Sequence, residues 1–188
     1  MSAGPGSERV RGTPDAVERC WPAFRAALGQ PDQPTPVLLA LQAIVRGEIG
    51  ARLFTLMTVD APTGLSRRIH SSHPEAYPMS GTKPLSAGLW SRTVVEERRT
   101  FVANTIEAIA EVFPDHELIA SLGCGSVVNL PVVFDDAVIG VANALDRPGH
   151  YTPERVARME SLAPFVAIAL LAARRAPPSF TLSRTDPA

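Results

Sequence analysis

Residues 125–146 read GSVVNLPVVFDDAVIGVANALD. Two apolar runs, 127–134 and 137–145, flank Asp135-Asp136. Valine and isoleucine dominate both, and branched side chains suit a pleated strand. The acidic pair is a polar break of hairpin length, so the stretch predicts two antiparallel strands at the centre of a sheet. A hairpin with one wet face alternates apolar and polar residues. This one barely does, which predicts cover on both faces. With a two-residue loop, Asn129 falls opposite Ala142 and shares its face with Gly140 and Ala144. The other face then carries Val128, Leu130, Val132, Phe134, Ile139, Val141 and Leu145. The bulky face calls for helices. The small face suits either close backbone packing or room for a ligand. Pro131 cannot donate to a ladder and marks a bulge or an unpaired position.

The 188 residues, 45% hydrophobic and 20% charged, fit one domain with terminal extensions. No apolar run reaches membrane-span length, and residues 1–18 hold no apolar signal core. Two cysteines, Cys20 and Cys124, are too few for a disulfide framework or a cysteine-rich metal site. These features predict a cytoplasmic protein. A net charge of −1 gives no electrostatic basis for nucleic-acid binding. Lys83 is the only lysine; composition bias explains the arginine preference more simply than anion binding does.

In chain order, residues 1–12 are expected to be a disordered arm, and 13–34 a helix and linker. Thr13-Pro14 is a helix start, Val17, Cys20, Trp21, Phe24 and Leu28 form its stripe, and Pro22 should kink it. Thr35-Pro36 repeats the start signal ahead of Val37, Leu38, Leu41, Ile44, Val45 and Ile49, and Gly50 ends that helix. Residues 53–60 and 65–72 read as strands around turn residues, with Arg67 and Arg68 suggesting an outer edge. Residues 73–84 read as a loop. Ser86 should cap a helix carrying Leu89, Trp90, Val94 and Val95. A short strand at 101–104, a weak helix at 105–113 and a second one at 115–122 lead to the hairpin. Thr152-Pro153 opens a final helix that Pro164 should bend, and 174–188 read as a disordered tail. The fold class is α+β: a central antiparallel sheet with N- and C-terminal helices on one face and a loop-and-helix insert on the other.

From residue 35 to 173 the chain resembles a GAF domain. The resemblance rests on the helix ending near Gly50, the strand LFTLMTVD and the 89–99 helix leading to FVANT. It continues through SVVNLPVVFDDAVIGVANALD and Tyr151-Thr152-Pro153-Glu154. The family is similar to PAS domains in layout, and the resemblance implies a ligand pocket under the insert. Family members that bind cyclic nucleotides carry Asn-Lys, Phe and Asp-Glu; the matching stretch here has Asp146-Arg147, Tyr151 and Arg155-Val156. Cys124 does not match the bilin-attaching cysteine of phytochrome-type members. It lies near one cysteine of the free methionine-R-sulfoxide reductases, at a different offset from the Leu-Pro pair.

The pocket is expected between the 73–125 insert and the small face of the hairpin. The ligand-binding candidates are Tyr77, Trp90, Thr93, Asn104, Asp115, His116, Ser126 and Asn129. Several have a plain structural alternative. Asn104 can cap the helix near Thr105, Asp115 can cap the next one, and Trp90 can be core. Asn129 in an apolar strand needs partners, so it either ties down the insert or meets a ligand. Asn143 is expected on the opposite face, as a structural residue. Cys124, His116 and Asp115 are the candidates for any catalysis. The spacing of His70, His73 and His116 supports no metal site, and no cofactor is expected. The sequence therefore predicts a small-molecule-binding GAF sensor acting without an attached output domain. It should signal in trans to a protein partner and pair as a homodimer through its terminal helices, with Ile168 and Leu171 left over as apolar surface. A small-molecule enzyme on the same scaffold and a ligand-free dimerisation module are the alternatives.

Overall fold

The computed structural model describes residues 16–60, 62–79, 82–85 and 87–175. The expected arm at 1–12, the helix start Thr13-Pro14, the Ser86 cap and the tail beyond Arg175 lie outside the described residues.

A six-stranded antiparallel sheet runs in the order β3-β2-β1-β6-β5-β4. Its strands are β1 (Leu53–Asp60), β2 (Leu65–Ser71), β3 (Lys83–Pro84), β4 (Phe101–Ala103), β5 (Ser126–Phe134) and β6 (Ala137–Asp146). On one face lie α1 (Ala16–Leu28), α2 (Thr35–Glu48), α6 (Pro153–Ser161) and α7 (Ala163–Arg175). The insert covers the other face. It holds α3 (Leu89–Ser91), which continues as a π-helical turn (Arg92–Glu96), then α4 (Ile106–Ala110) and α5 (His116–Ser121).

The β5–β6 hairpin turns on Asp135 and Asp136, both at positive φ of 50° and 54°, the conformation of a two-residue hairpin loop. Phe134 pairs with Ala137 and Val133 with Val138. The register then slips by one between Val132 and Val133, so Val132 meets Gly140 and Asn129 meets Asn143. The expected Asn129–Ala142 pairing is therefore corrected by a bulge. The slip also overturns the expected division into a bulky and a small face. Gly140, Ala142 and Ala144 lie with Val128, Leu130 and Val132 against the helices. Val141 and Leu145 lie on the insert side, and Asn143 joins Asn129 there. Pro131 pairs opposite Val141, one residue before the bulge begins at Val132.

The small residues of β6 admit the helices. A Cβ on Gly140 would come within 2.4 Å of the Met57 carbonyl and 2.6 Å of Leu170 on α7. Phe24 and Phe165 meet edge to face at 4.8 Å, with Leu41, Met159 and Leu170 packed around them. Trp21, expected in the core stripe, is 42% exposed but lies 6.0 Å from the Phe165 ring. Ile168 and Leu171 pack against this core and stay partly exposed. Pro22 sits inside α1 without ending it.

Thr152 caps α6 as expected, accepting from the Arg155 amide with Pro153 at the helix start. The chain then bends by 46° between α6 and α7, next to Pro164. Among the described residues no single helix is long and apolar enough to cross a membrane. Thr35 is the first residue of α2 rather than its cap, and that helix start has no side-chain cap. The C-terminal end of α2 is tied across the domain. The Ile49 carbonyl accepts from Arg155 Nη1 at 2.6 Å, and the Tyr151 hydroxyl donates to the Gly50 carbonyl, satisfying acceptors that a helix end leaves open.

The insert departs from expectation in three places. A two-residue strand, β3, pairs with Leu65 and Ser66 where a loop is read from the sequence. The helix through Trp90 is one short α turn followed by a π turn. The weak helix at 105–113 ends at Ala110, with Pro114 close behind.

Candidate functional site

Between the sheet and the insert lies a cavity of about 400 Å³, within the size range of small-molecule sites. Its floor is one cross-strand row. Thr55 on β1 pairs with Asn143 on β6, which pairs with Asn129 on β5. Asparagine is a poor strand former, and here the two amides face each other inside the molecule, 2% and 6% exposed.

The row is joined by hydrogen bonds with a single direction. Trp90 Nε1 donates to Asn129 Oδ1 at 3.1 Å, Asn129 Nδ2 to Asn143 Oδ1 at 2.6 Å, and Asn143 Nδ2 to Thr55 Oγ1 at 3.1 Å. Indole can only donate, so Trp90 fixes which way Asn129 points, and Asn129 fixes Asn143. The bulge makes this possible, because without the one-residue slip Asn129 would face Ala142.

One wall joins β2 to the insert. The Tyr77 hydroxyl donates to Asp115 Oδ2 at 2.7 Å, and the Arg68 guanidinium lies 5.0 Å from the centre of the Tyr77 ring, a cation–π distance. Burial, with the Asp115 carboxylate beside it, raises the Tyr77 hydroxyl well above the usual range for tyrosine. Arg68 Nη1 donates to the Pro78 carbonyl at 3.0 Å. Its Nε is buried with no acceptor among the described residues. Arg68 lies on the outer edge of β2, beyond the two residues that β3 covers, and is also a wall of the cavity. The remaining lining is mostly apolar, including Leu53, Met57, Leu85, Leu89, Val127 and Leu145, with Glu111 at the α4 end.

Of the residues singled out from sequence, Tyr77, Trp90, Asp115 and Asn129 line this cavity. Asp115 precedes α5 without capping it through its side chain, because its carboxylate is turned to Tyr77. Asn104 is neither a cap nor a cavity residue. It clamps the β6–α6 loop, donating to the Tyr151 carbonyl and accepting from the Tyr151 amide, while Thr105 caps α4. The Ser126 hydroxyl donates to the Arg147 carbonyl at 2.7 Å, with the Asp146 carbonyl 3.2 Å away, and does not line the cavity. Thr93 is buried on the π turn, outside the lining. His116 Nδ1 is 3.2 Å from the Phe113 carbonyl, a contact that places its proton on Nδ1, and the ring does not line the cavity.

Cys124 is 4% exposed and outside the lining. Burial first, then the Asp146 carboxylate, push its thiol up to about 11. Cys20 belongs to the helix-side core and Cys124 to the insert-side core, so the sheet separates the two thiols. Among the described residues no cluster of His, Cys, Asp or Glu could hold a metal ion. Sequence reasoning missed Arg68, Asn143 and Thr55. The two asparagines in otherwise apolar strands were the available signal for the floor.

Residues 37–171 match the sequence model of a family described as GAF domain. The chain belongs to the GAF domain family. Solved structures agree on the fold. The GAF domain of a phosphoenolpyruvate-protein phosphotransferase from Coxiella burnetii is similar at 15% identity and a TM-score of 0.61, covering 85% of this chain and 95% of that one. The free methionine-R-sulfoxide reductase of Neisseria meningitidis, solved with its substrate, is similar at 17% identity and a TM-score of 0.59, covering 86% and 92%. The GAF domain of a two-component sensor histidine kinase from Bacillus halodurans is similar at 13% identity and a TM-score of 0.61, covering 76% and 96%. No curated protein matches the sequence. At these identities the likeness shows the fold alone. The cavity of this GAF domain is therefore read from its own residues.

Proposed function

We propose that this GAF domain binds a small organic molecule in the cavity beneath the insert and works as a sensor. The observation that carries the reading is the floor. A side-chain hydrogen-bond chain from Trp90 through Asn129 and Asn143 to Thr55 lies under about 400 Å³ of open volume. Buried amides that served only packing would be expected to meet close-packed side chains or backbone; these meet a cavity. The sensor reports through its helices. The strand that carries Asn143 also carries Gly140, against which Leu170 of α7 is seated, so a shift of the floor reaches the helical layer directly. A partner chain reads that layer in trans, and a second copy pairs through the terminal helices, where Trp21 and Leu39 are exposed.

Binding is favoured over catalysis because the two thiols are separated by the sheet and Cys124 is held protonated away from the cavity. Native mass spectrometry of freshly purified protein tests the reading. The expected result is a bound species of a few hundred daltons, weakened or lost in an Asn129→Leu/Asn143→Leu double variant. A bare protein mass that gains nothing from the small-molecule fraction of a cell extract would overturn it.

A further inference from the structure

We infer that the ligand is a small organic carboxylate carrying a second hydrogen-bond acceptor, with the acid seated on Arg68 and the second acceptor on the Asn129–Asn143 floor. This rests on the cavity being a ligand site, as proposed above, and adds the chemistry of what enters it.

Arg68 Nη1 is committed to the Pro78 carbonyl. Nε, on the opposite side of the guanidinium, has no acceptor among the described residues although it is buried. Nε and Nη2 form the parallel two-proton edge that matches the two oxygens of a carboxylate. A buried N–H without a partner costs free energy, and a ligand oxygen removes that cost. The guanidinium carbon lies 5.0 Å from the centre of the Tyr77 ring and Nε is covered by neighbouring atoms, so a carboxylate reaches the fork by shifting the side chain along that ring.

The floor has the same polarity. Asn129 Oδ1 is taken by Trp90 and Asn143 Oδ1 by Asn129. Each amide nitrogen has two protons and spends one along the chain. What remains on each is an N–H, and it asks for an acceptor. A carbonyl, an ether oxygen or a ring nitrogen meets that demand; a hydroxyl meets it through its oxygen.

The carboxylates on the lining set the direction. Asp115 is held at the far end of Tyr77 by the phenol, and Glu111 lies on the same α4–α5 side. Both repel a ligand acid from that end, leaving Arg68 as its seat. The apolar walls, Leu53, Met57, Leu85 and Leu145 among them, cover the body of the molecule.

The test uses Trp90 as reporter. In a Trp21→Phe background Trp90 is the only indole, and its emission reads occupancy of the cavity. Fragments are screened as matched acid and primary-amide pairs, such as phenylglyoxylic acid with phenylglyoxylamide and 4-oxopentanoic acid with its amide. Acids are expected to bind at least tenfold tighter than their amides, and Arg68→Gln should erase that difference while leaving the weaker amide binding in place. Amides that match or exceed their acids, or an acid preference that survives Arg68→Gln, would overturn the carboxylate assignment and leave the cavity reading standing. If no fragment changes Trp90 emission at millimolar concentration, the cavity reading fails, and this inference fails with it.

Discussion

The two faces of the central sheet are both covered, yet they are built differently. Against the helices, β5 and β6 present Val128, Leu130, Val132, Ala142 and Ala144, and the space is filled by Phe24, Leu41, Phe165 and Leu170. Against the insert, the same two strands present Asn129 and Asn143, and the space above them is open. Hydrophobic burial stabilises the first face through close packing. The second spends buried polar groups on a hydrogen-bonded chain, an arrangement that fixes side-chain direction at the cost of packing density. Both sides carry a buried apolar core, but only the insert side leaves a cavity over a polar floor.

The sharpest way to break this contrast is to remove bulk from each side. Phe165→Ala should cost about 3–5 kcal/mol of stability, read by chemical denaturation, because the ring is fully buried and meets Phe24 edge to face. Leu89→Ala, on the cavity side and 48% exposed, should stay within about 0.5 kcal/mol of the parent. Equal losses would mean that both sides are packed alike.

The polar chain comes next. Asn143→Ala strands the Asn129 amide and should cost about 1–3 kcal/mol. Replacing both asparagines by leucine should recover much of that loss, since two buried polar groups leave together. A double variant less stable than either single one would show that the chain does more than satisfy itself.

Cys124 gives a pH-dependent difference. Its folded thiol ionises near 11 and the ordinary value is 9.0, so between these the unfolded chain releases its proton first. Stability contributed by the neutral thiol is complete below pH 9 and declines as pH rises toward 11. The wild type should therefore lose more stability over this window than a Cys124→Ala variant. At pH 8 the folded thiol holds roughly 100-fold less thiolate than an ordinary cysteine, so iodoacetamide should label it slowly. Rapid labelling would reopen redox chemistry at this residue.

The smallest effect is expected at the hairpin tip. Arg98 donates to the Asp136 carboxylate at 2.5 Å and to the Asp136 carbonyl at 2.7 Å. Their hydrogen bond first, and the opposite charges second, hold Asp136 below, and Arg98 above, their ordinary values. Both are exposed to solvent, which screens such pairs, so Arg98→Ala should leave the denaturation midpoint unresolved from that of the parent.

Much of the architecture was legible because its signals are local. The β-branched runs with Asp135-Asp136 between them mark the hairpin, LFTLMTVD coincides with β1, and Thr152-Pro153 opens α6. The register was not legible. A two-residue loop is fixed by its turn, but the bulge between Val132 and Val133 lies beyond it. Strands buried on both faces have no polar alternation to reveal a one-residue slip. That slip moved Asn143 to the cavity and Gly140, Ala142 and Ala144 to the helices. Arg68 was missed for another reason. An arginine in a strand reads as an edge residue, and its stacking on Tyr77 depends on a loop path that no periodicity encodes. Asn104 and Ser126 illustrate the converse, since polar residues beside a site often hold backbone.

The two tryptophans sit one on each side of the sheet, and their indole N–H signals give the most direct measurement. A 15N-edited NMR titration of the protein with the small-molecule fraction of a cell extract, or with acid fragments that bind, should move the Trp90 indole together with the Asn129 and Asn143 side-chain amides. Shifts in the Trp21 indole should be smaller and secondary. If Trp90 and the two amides stay fixed while the protein binds, or if Trp21 alone responds, then the open side of the sheet is not the ligand site and the account is contradicted.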